Sequence, residues 1–132
     1  YHQQLADVPG VRLLRYDEQE HNNFQYIVAE VDAQTTGISR DELVRLLHAE
    51  KVRARRYFYP ACHRMEPYRS YFPHAGLLLP VTEDLVQRVM ILPTGTAVHR
   101  EDISQICQLI AFAVRHGPEI RAGLAASTGS AP

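Results

Sequence analysis

The segment of residues 24–31 alternates in the manner of a strand and carries apolar side chains on both sides. Phe24, Tyr26 and Val28 fall on one side, with Ile27, Ala29 and Val31 on the other. A period of two with two apolar faces predicts a strand in the middle of a sheet. Residues 11–16 are partly apolar and predict a shorter first strand. Residues 89–92 form a continuous apolar run ended by Pro93, which predicts another buried strand.

Two further segments have apolar residues at helical spacing. Residues 39–42 read Ser-Arg-Asp-Glu, a capping box in which the Ser39 hydroxyl and the Glu42 carboxylate satisfy free amide groups at a helix start. The last helix is expected over residues 100–116 and ends at Gly117-Pro118. The apolar stripes of these two helices are Leu43, Leu46, Leu47 and Val52, and Ile103, Ile106, Cys107, Ile110, Ala113 and Val114.

The remaining elements are shorter. A first helix is expected to end at Pro9-Gly10. Residues 70–79 are expected to be irregular, and a short helix is expected from Pro80, capped by Thr82. The order strand, strand, helix, strand, short helix, strand, helix predicts an α+β fold: a small, largely antiparallel sheet of three to four strands with helices packed on one face. We expect a single domain over residues 1–116 and a flexible C-terminal tail over residues 117–132.

The stretch from 53 to 69 combines cationic, aromatic and imidazole groups more densely than any other. Tyr57, Phe58 and Tyr59 predict a strand, which Pro60 ends because proline lacks a backbone donor. The strand period places Arg55, Tyr57 and Tyr59 on one face. The following loop presents polar side chains that are candidates for function: Cys62, His63, Arg64, Glu66 and Tyr68.

Composition narrows the classes of function. The 132 residues are 45% hydrophobic and 22% charged, with a net charge of −1, as in an ordinary globular domain with one core. Arginines interleaved with aromatic residues could stack on RNA bases, but the net charge and Pro60 argue against a nucleic-acid partner. No apolar run reaches the length of a membrane span, so no membrane partner is expected. Two cysteines in no paired motif predict a reducing, cytoplasmic setting.

Metal binding and cysteine catalysis find little support in the spacing. Cys62 and His63 are adjacent, with His74 nearby, but no second pair completes a tetrahedral metal site. A nucleophilic Cys62 would need His63 and an orienting group to meet it through space, which adjacency does not provide. For His63 two interpretations stay open: a loop histidine bonded to a nearby carbonyl, or a ligand of a substrate.

Five short motifs follow one another along the chain. They are Asn-Asn-Phe-Gln-Tyr at 22–26, Ser-Arg-Asp-Glu-Leu at 39–43, Arg-Arg-Tyr-Phe-Tyr-Pro at 55–60 with His63, Leu-Pro-Val-Thr-Glu at 79–83, and Leu92-Pro93 before Glu-Asp-Ile at 101–103. In this order and spacing they resemble the C-terminal small domain of DegT/StrS-type sugar aminotransferases. The resemblance spans residues 1–114. Members of that family often have Ser or Thr where this chain has His99.

The resemblance implies a role for the candidate residues. Enzymes of this family use pyridoxal phosphate to convert a keto group on a nucleotide-linked deoxysugar, here dTDP-linked, into an amine. The small domain then forms a wall that faces the substrate. Arg55 and Arg56 would approach the diphosphate, Tyr57 and Tyr59 would lie against the sugar, and His63 would hydrogen-bond the substrate near the reacting carbon.

The lysine content sets a limit on this chain. The family needs a cofactor lysine on its large N-terminal domain, and the only lysine here, Lys51, ends a predicted helix. We therefore expect no catalytic, cofactor-binding or metal-binding residue in this chain. A longer parent would supply the large pyridoxal-phosphate domain and form a homodimer, and Tyr1 in place of Met fits a chain processed or cut from it. The alternative is a free-standing α+β binding or regulatory domain for a small anionic ligand.

Overall fold

The computed structural model describes residues 1–17 and 19–128, and within them one antiparallel sheet is formed. Its strands are β1 (Val11–Leu13), β2 (Ile27–Val31), β3 (Arg55–Arg56) and β4 (Val89–Leu92), in the order β1-β2-β4-β3. Val28 lies opposite Ile91 and Ala29 opposite Met90 across the central pair. The predicted α+β fold and the central position of β2 are confirmed.

The helices fall into two long ones, two of intermediate length and several single turns. They are α1 (His2–Leu5), α2 (Ala33–Thr36), α3 (Arg40–Ala49), α4 (Tyr68–Tyr71), α5 (Ala75–Leu78), α6 (Pro80–Arg88), α7 (Arg100–Arg115) and α8 (Gly117–Thr128). A 3-10 turn covers Cys62–Arg64.

The core lies between one face of the sheet and the helices α3 and α7. Alternate residues of β2 and β4 point into it, because successive side chains of a strand face opposite ways. The buried cluster contains Ala29, Val31, Met90 and Leu92 from the strands, Leu43, Val44 and Leu47 from α3, and Ile106, Cys107, Ile110 and Ala113 from α7. Helices therefore cover one face, as the sequence predicts. Val28 and Glu30 belong to the opposite face.

The two helices predicted from apolar stripes, α3 and α7, are both present. The capping box of α3 forms as predicted: Glu42 N–H donates to the Ser39 hydroxyl at 3.2 Å, and Ser39 N–H donates to the Glu42 carboxylate at 2.7 Å. The predicted Thr82 cap of α6 is wrong. Leu79 precedes the helix and Pro80 occupies its first turn, where the fixed φ of proline suits a helix and its missing N–H costs nothing.

Three strands are shorter than predicted. β1, expected over residues 11–16, ends at Leu13. β2 begins at Ile27, because Phe24 has φ of 49° and is 57% exposed. β3 ends at Arg56, because Phe58 has φ of 41°, a backbone region that strands do not use. Tyr57 and Tyr59 therefore do not continue a strand. The region 70–79, predicted to be irregular, contains α5 and the end of α4.

The sequence predicts a flexible C-terminal tail over residues 117–132. The described backbone is helical over Gly117–Thr128, and residues 129–132 lie outside the described residues. A Cβ atom at Gly117 would lie 2.3 Å from the carbonyl oxygen of Thr36, so glycine lets the start of α8 approach α2. The division into a domain at 1–116 and a tail stays a prediction.

Candidate functional site

The candidate residues 55–63 lie where the sheet edge passes into the turn after β3. Arg55 and Arg56 are exposed on this edge strand. Arg55 pairs across the sheet with Ile91, and Arg56 with Met90, so the two side chains leave the sheet on opposite faces. Arg55 has no ionic partner in the described part of the chain. It therefore presents an unpaired cation at the open face.

Arg56 belongs to a group on the helix side. Its guanidinium lies 4.5 Å from the ring centre of Tyr59 and 4.0 Å from the Asp41 carboxylate. The guanidinium of Arg40 lies 5.5 Å from the same ring. Two cations thus lie over the ring of Tyr59, where the negative ring face attracts them, and Tyr59 remains 39% exposed.

Tyr57 turns towards the other face of the sheet. Its ring centre lies 5.2 Å from that of Tyr26 and 4.3 Å from that of Phe58. Tyr57 and Tyr26 line an open groove of about 930 Å³ whose other walls include Val28, Leu85 and Val89. Burial is the main cause that raises the pKa of Tyr57. The prediction that Tyr57 and Tyr59 share a strand face is wrong, because the strand ends before them.

His63 is held in place by a hydrogen bond to a residue of α6. Its Nε2 atom is hydrogen-bonded to Oε1 of Glu83. Arg64 binds the same carboxylate through two bonds, Nε to Oε1 at 2.6 Å and Nη2 to Oε2 at 2.9 Å. The hydrogen bonds from Arg64 and then from His63 lower the pKa of Glu83 to about 2. The His63 side chain is 11% exposed and that of Glu83 23%.

Tertiary structure therefore divides the predicted site in two. Tyr59, Arg64 and Glu83 line one small cavity of about 160 Å³. Tyr57 lies in the groove on the other side. Glu83, the partner of His63, is not among the site residues predicted from the sequence, although the motif at 79–83 contains it. Its position at the entry of a helix gives no sign of the contact.

The other candidate chemistries have no support in the described residues. Cys62 is exposed and Cys107 is buried. No group of three or more His, Cys, Asp and Glu side chains suited to a metal lies within the described part of the chain. In the same part, no helix is both long and apolar enough to cross a membrane.

The residues present do not fit a pyridoxal phosphate site. Lys51 has φ of 63°, and its side chain is exposed in the turn after α3. It lines a groove with Val52, Pro93 and Phe112, and none of the candidate site residues lines that groove. A Schiff-base lysine needs an enclosed position against the cofactor ring, which Lys51 lacks.

Curated relatives with matching sequence are sugar transaminases. A dTDP-4-amino-4,6-dideoxy-D-glucose transaminase of Escherichia coli is 26% identical over 110 residues, covering 83% of this chain and 29% of the relative. The enzyme of the same name from Shigella dysenteriae is 30% identical over 117 residues, covering 87% and 29%. The chain thus spans about 29% of the length of these relatives.

Two solved structures contain a region with the same fold as this chain. The crystal structure of DesI in the presence of its TDP-sugar product has a TM-score of 0.83 and 44% identity, covering 94% of this chain and 31% of DesI. The aminotransferase TlmJ from Streptoalloteichus hindustanus, at 21% identity, has a TM-score of 0.68 over 86% of this chain and 29% of TlmJ. The family match covers residues 1–111. The chain therefore belongs to the DegT/DnrJ/EryC1/StrS aminotransferase family, whose members use pyridoxal phosphate.

Proposed function

We propose that this chain is the small domain of an aminotransferase that converts a keto group on a dTDP-deoxysugar into an amine, and that it forms a wall facing the substrate. The observation that carries the proposal is the 44% identity with DesI, at a TM-score of 0.83 over 94% of the chain. The DesI structure contains a TDP-sugar product, and two curated relatives are named for a dTDP-sugar.

The arrangement of side chains supports a division of labour on this wall. Arg55 is the candidate for the diphosphate, because it has no ionic partner in the described residues, whereas Arg56 is occupied by Tyr59 and Asp41. Tyr57 lies on the same side of the sheet edge as Arg55 and offers its ring face to the sugar, as apolar groups in ligand sites do. Tyr59 lies on the other side, so it does not contact the same sugar face. His63 hydrogen-bonds the substrate near the reacting carbon. None of these groups moves the proton in the reaction.

The exposed surface of the segment 68–81 fits a domain that has a covering partner. Large apolar side chains lie there in solvent: Tyr68 (53% exposed), Tyr71 (71%), Phe72 (63%), Leu77 (82%), Leu78 (80%) and Val81 (78%). Contiguous apolar surface of this kind marks an interface. Because the relatives are more than three times as long as the matched region, we assign this surface to the large pyridoxal-phosphate domain of the parent. The resemblance also implies that the parent is a cytoplasmic homodimer.

The second candidate function is a free-standing domain that binds a small anionic ligand. Arg55, which has no ionic partner in the described residues, favours it: Arg55 shares a sheet face with Val28 of the aromatic groove, and that face needs no other domain to present a cation. The two functions differ in what the coding sequence contains upstream of Tyr1. An in-frame region that encodes a lysine-bearing large domain supports the aminotransferase, whereas a start codon directly at this point supports the binding domain.

The activity itself is tested on the longer polypeptide that this region would encode. We expect the purified protein with pyridoxal phosphate to transfer the amino group of dTDP-4-amino-4,6-dideoxyglucose to a 2-oxo acid from a panel of acceptors. A control without the nucleotide sugar corrects for background turnover. A longer polypeptide that carries the lysine but transaminates no dTDP-sugar would contradict the proposal.

A further inference from the structure

The chemistry of the contact between His63 and Glu83 determines which nitrogen of the histidine is free. Oε1 of Glu83 accepts from Nε2 of His63. An ionised carboxylate has only acceptor atoms, so Nε2 must carry a proton in this contact. Nδ1 has no hydrogen-bond partner among the described residues. Some side-chain atoms of the described residues are buried and have no hydrogen-bond partner, such as Arg88 Nε. Nδ1 of His63 is not among them, so it is accessible to solvent.

The carboxylate is itself fixed. Arg64 donates one hydrogen bond to each oxygen of Glu83, and this pair of bonds fixes the orientation of the carboxylate. These bonds, with the one from His63, hold the pKa of Glu83 at about 2, so the group stays ionised at neutral pH. The backbone of α5 closes over this pair of bonds: a Cβ atom at Gly76 would lie 3.1 Å from Nη2 of Arg64 and 3.3 Å from Oε1 of Glu83.

We propose that Glu83 is the positioning residue of His63: by accepting Nε2–H it fixes one tautomer of the neutral ring and leaves Nδ1 to accept a hydrogen bond from a hydroxyl group of the sugar. The inference about the sugar rests on the proposed function, whereas the assignment of the tautomer does not. A neutral Nδ1 without a proton cannot donate to a carbonyl. With the ring neutral, His63 thus accepts from a hydroxyl group on a carbon beside the reacting one and does not bind the keto oxygen.

The tautomer is measured on this chain by two-bond ¹H–¹⁵N correlation spectra of its histidine rings. At about pH 9, above the titration range of an ordinary imidazole, we expect His63 to show a protonated Nε2 and an unprotonated Nδ1. The spectrum of His63→Gln identifies which of the seven histidines is His63. A protonated Nδ1 in the unmodified chain would overturn the proposal without any need for a Glu83 variant.

Whether Glu83 fixes the tautomer of His63 is tested with Glu83→Gln, which keeps the shape of the side chain. Because an amide can offer either a donor or an acceptor to the ring, we expect the second tautomer of His63 to appear. Asp84→Asn is the matched control: the residue is adjacent on α6 but pairs with Arg88, so the His63 signals should not change. A single unchanged tautomer in Glu83→Gln would mean that Glu83 does not set it.

Kinetics of the longer polypeptide separate this proposal from the proposed function. If Glu83 acts through His63, Glu83→Gln and His63→Ala should each lower kcat/KM roughly tenfold, the worth of one misdirected hydrogen bond, and the double variant should lose no more than either. Additive losses would contradict the coupling. If the polypeptide transaminates no nucleotide sugar but the expected tautomer is found, the proposed function fails and the positioning by Glu83 stands.

Discussion

Arg40 donates from Nη2 to the carbonyl oxygen of Val86 at 3.0 Å, although the two residues are 46 positions apart. The same guanidinium donates from Nη1 to the carbonyl of Val89, and Arg40 is 1% exposed. A single buried cation thus joins the start of α3 to the end of α6 and to β4. It also lies over the ring of Tyr59, so it connects the core to the candidate site.

We expect Arg40→Ala to lower the free energy of unfolding by about 3 kcal/mol, because buried carbonyls at Val86 and Val89 lose their donors. Urea unfolding followed by circular dichroism measures the change. Arg45→Ala is the control: the residue is exposed on the same helix, and its loss should change stability by less than about 0.5 kcal/mol. Equal effects of the two substitutions would contradict the role given to Arg40.

The contribution of Glu83 to stability should depend on pH. Its pKa is lowered from 4.5 to about 2 in the folded chain, first by Arg64 and then by His63. A lowered folded pKa means that the ionised group stabilises the fold above the unfolded pKa, and that this stabilisation is lost as the pH falls through the folded value. Unfolding of Glu83→Gln relative to the unmodified chain should therefore show a difference that is constant at neutral pH and shrinks between about pH 4.5 and pH 2. A difference that persists unchanged to pH 2 would exclude the pairing.

Gly117 is required by the contact between α2 and α8. A Cβ atom there would lie 2.3 Å from the Thr36 carbonyl oxygen and 3.1 Å from the Gly37 carbonyl carbon. We expect Gly117→Ala to destabilise the chain by about 1–3 kcal/mol, since backbone must move to relieve the overlap. Gly123→Ala on the same helix has open space around the new atom and should stabilise it by about 0.5–1 kcal/mol. Thermal unfolding of both variants measures the contrast, and effects of the same sign would contradict it.

Arg55 should matter for the affinity of the nucleotide sugar. In the longer polypeptide we expect Arg55→Ala to raise KM for the dTDP-sugar roughly tenfold, as for the loss of a charge-assisted hydrogen bond, and to leave the fold intact. Arg53→Ala is the matched control, because Arg53 lines the groove beside Lys51, whereas Arg55 shares a sheet face with Val28 of the aromatic groove. Steady-state kinetics measure both. An unchanged KM in Arg55→Ala would make this arginine part of a solvated surface.

Local signals in the sequence were enough for the framework of the fold. The capping box at Ser39 and Glu42 fixes the start of α3, because both partners lie within one turn. The buried faces are indicated by the apolar runs of β2 and β4 and by the apolar stripe of α7. These patterns predict the α+β class and the central position of β2. The resemblance to the family likewise depended on motif order alone, and the match over residues 1–111 confirms it.

Only the tertiary contacts determined which of the candidate residues come together in the site. Strand propensity favoured a continuous β3 through Tyr57 and Tyr59, but the left-handed backbone at Phe58 sends the two rings to opposite sides of the sheet edge. The partner of His63 could not be read from the chain either, because Glu83 is 20 residues away and meets it only when α5 and α6 fold back over the turn. Sequence periodicity indicates which face of a single helix or strand is buried. A contact between residues far apart in the sequence depends instead on how the whole chain folds.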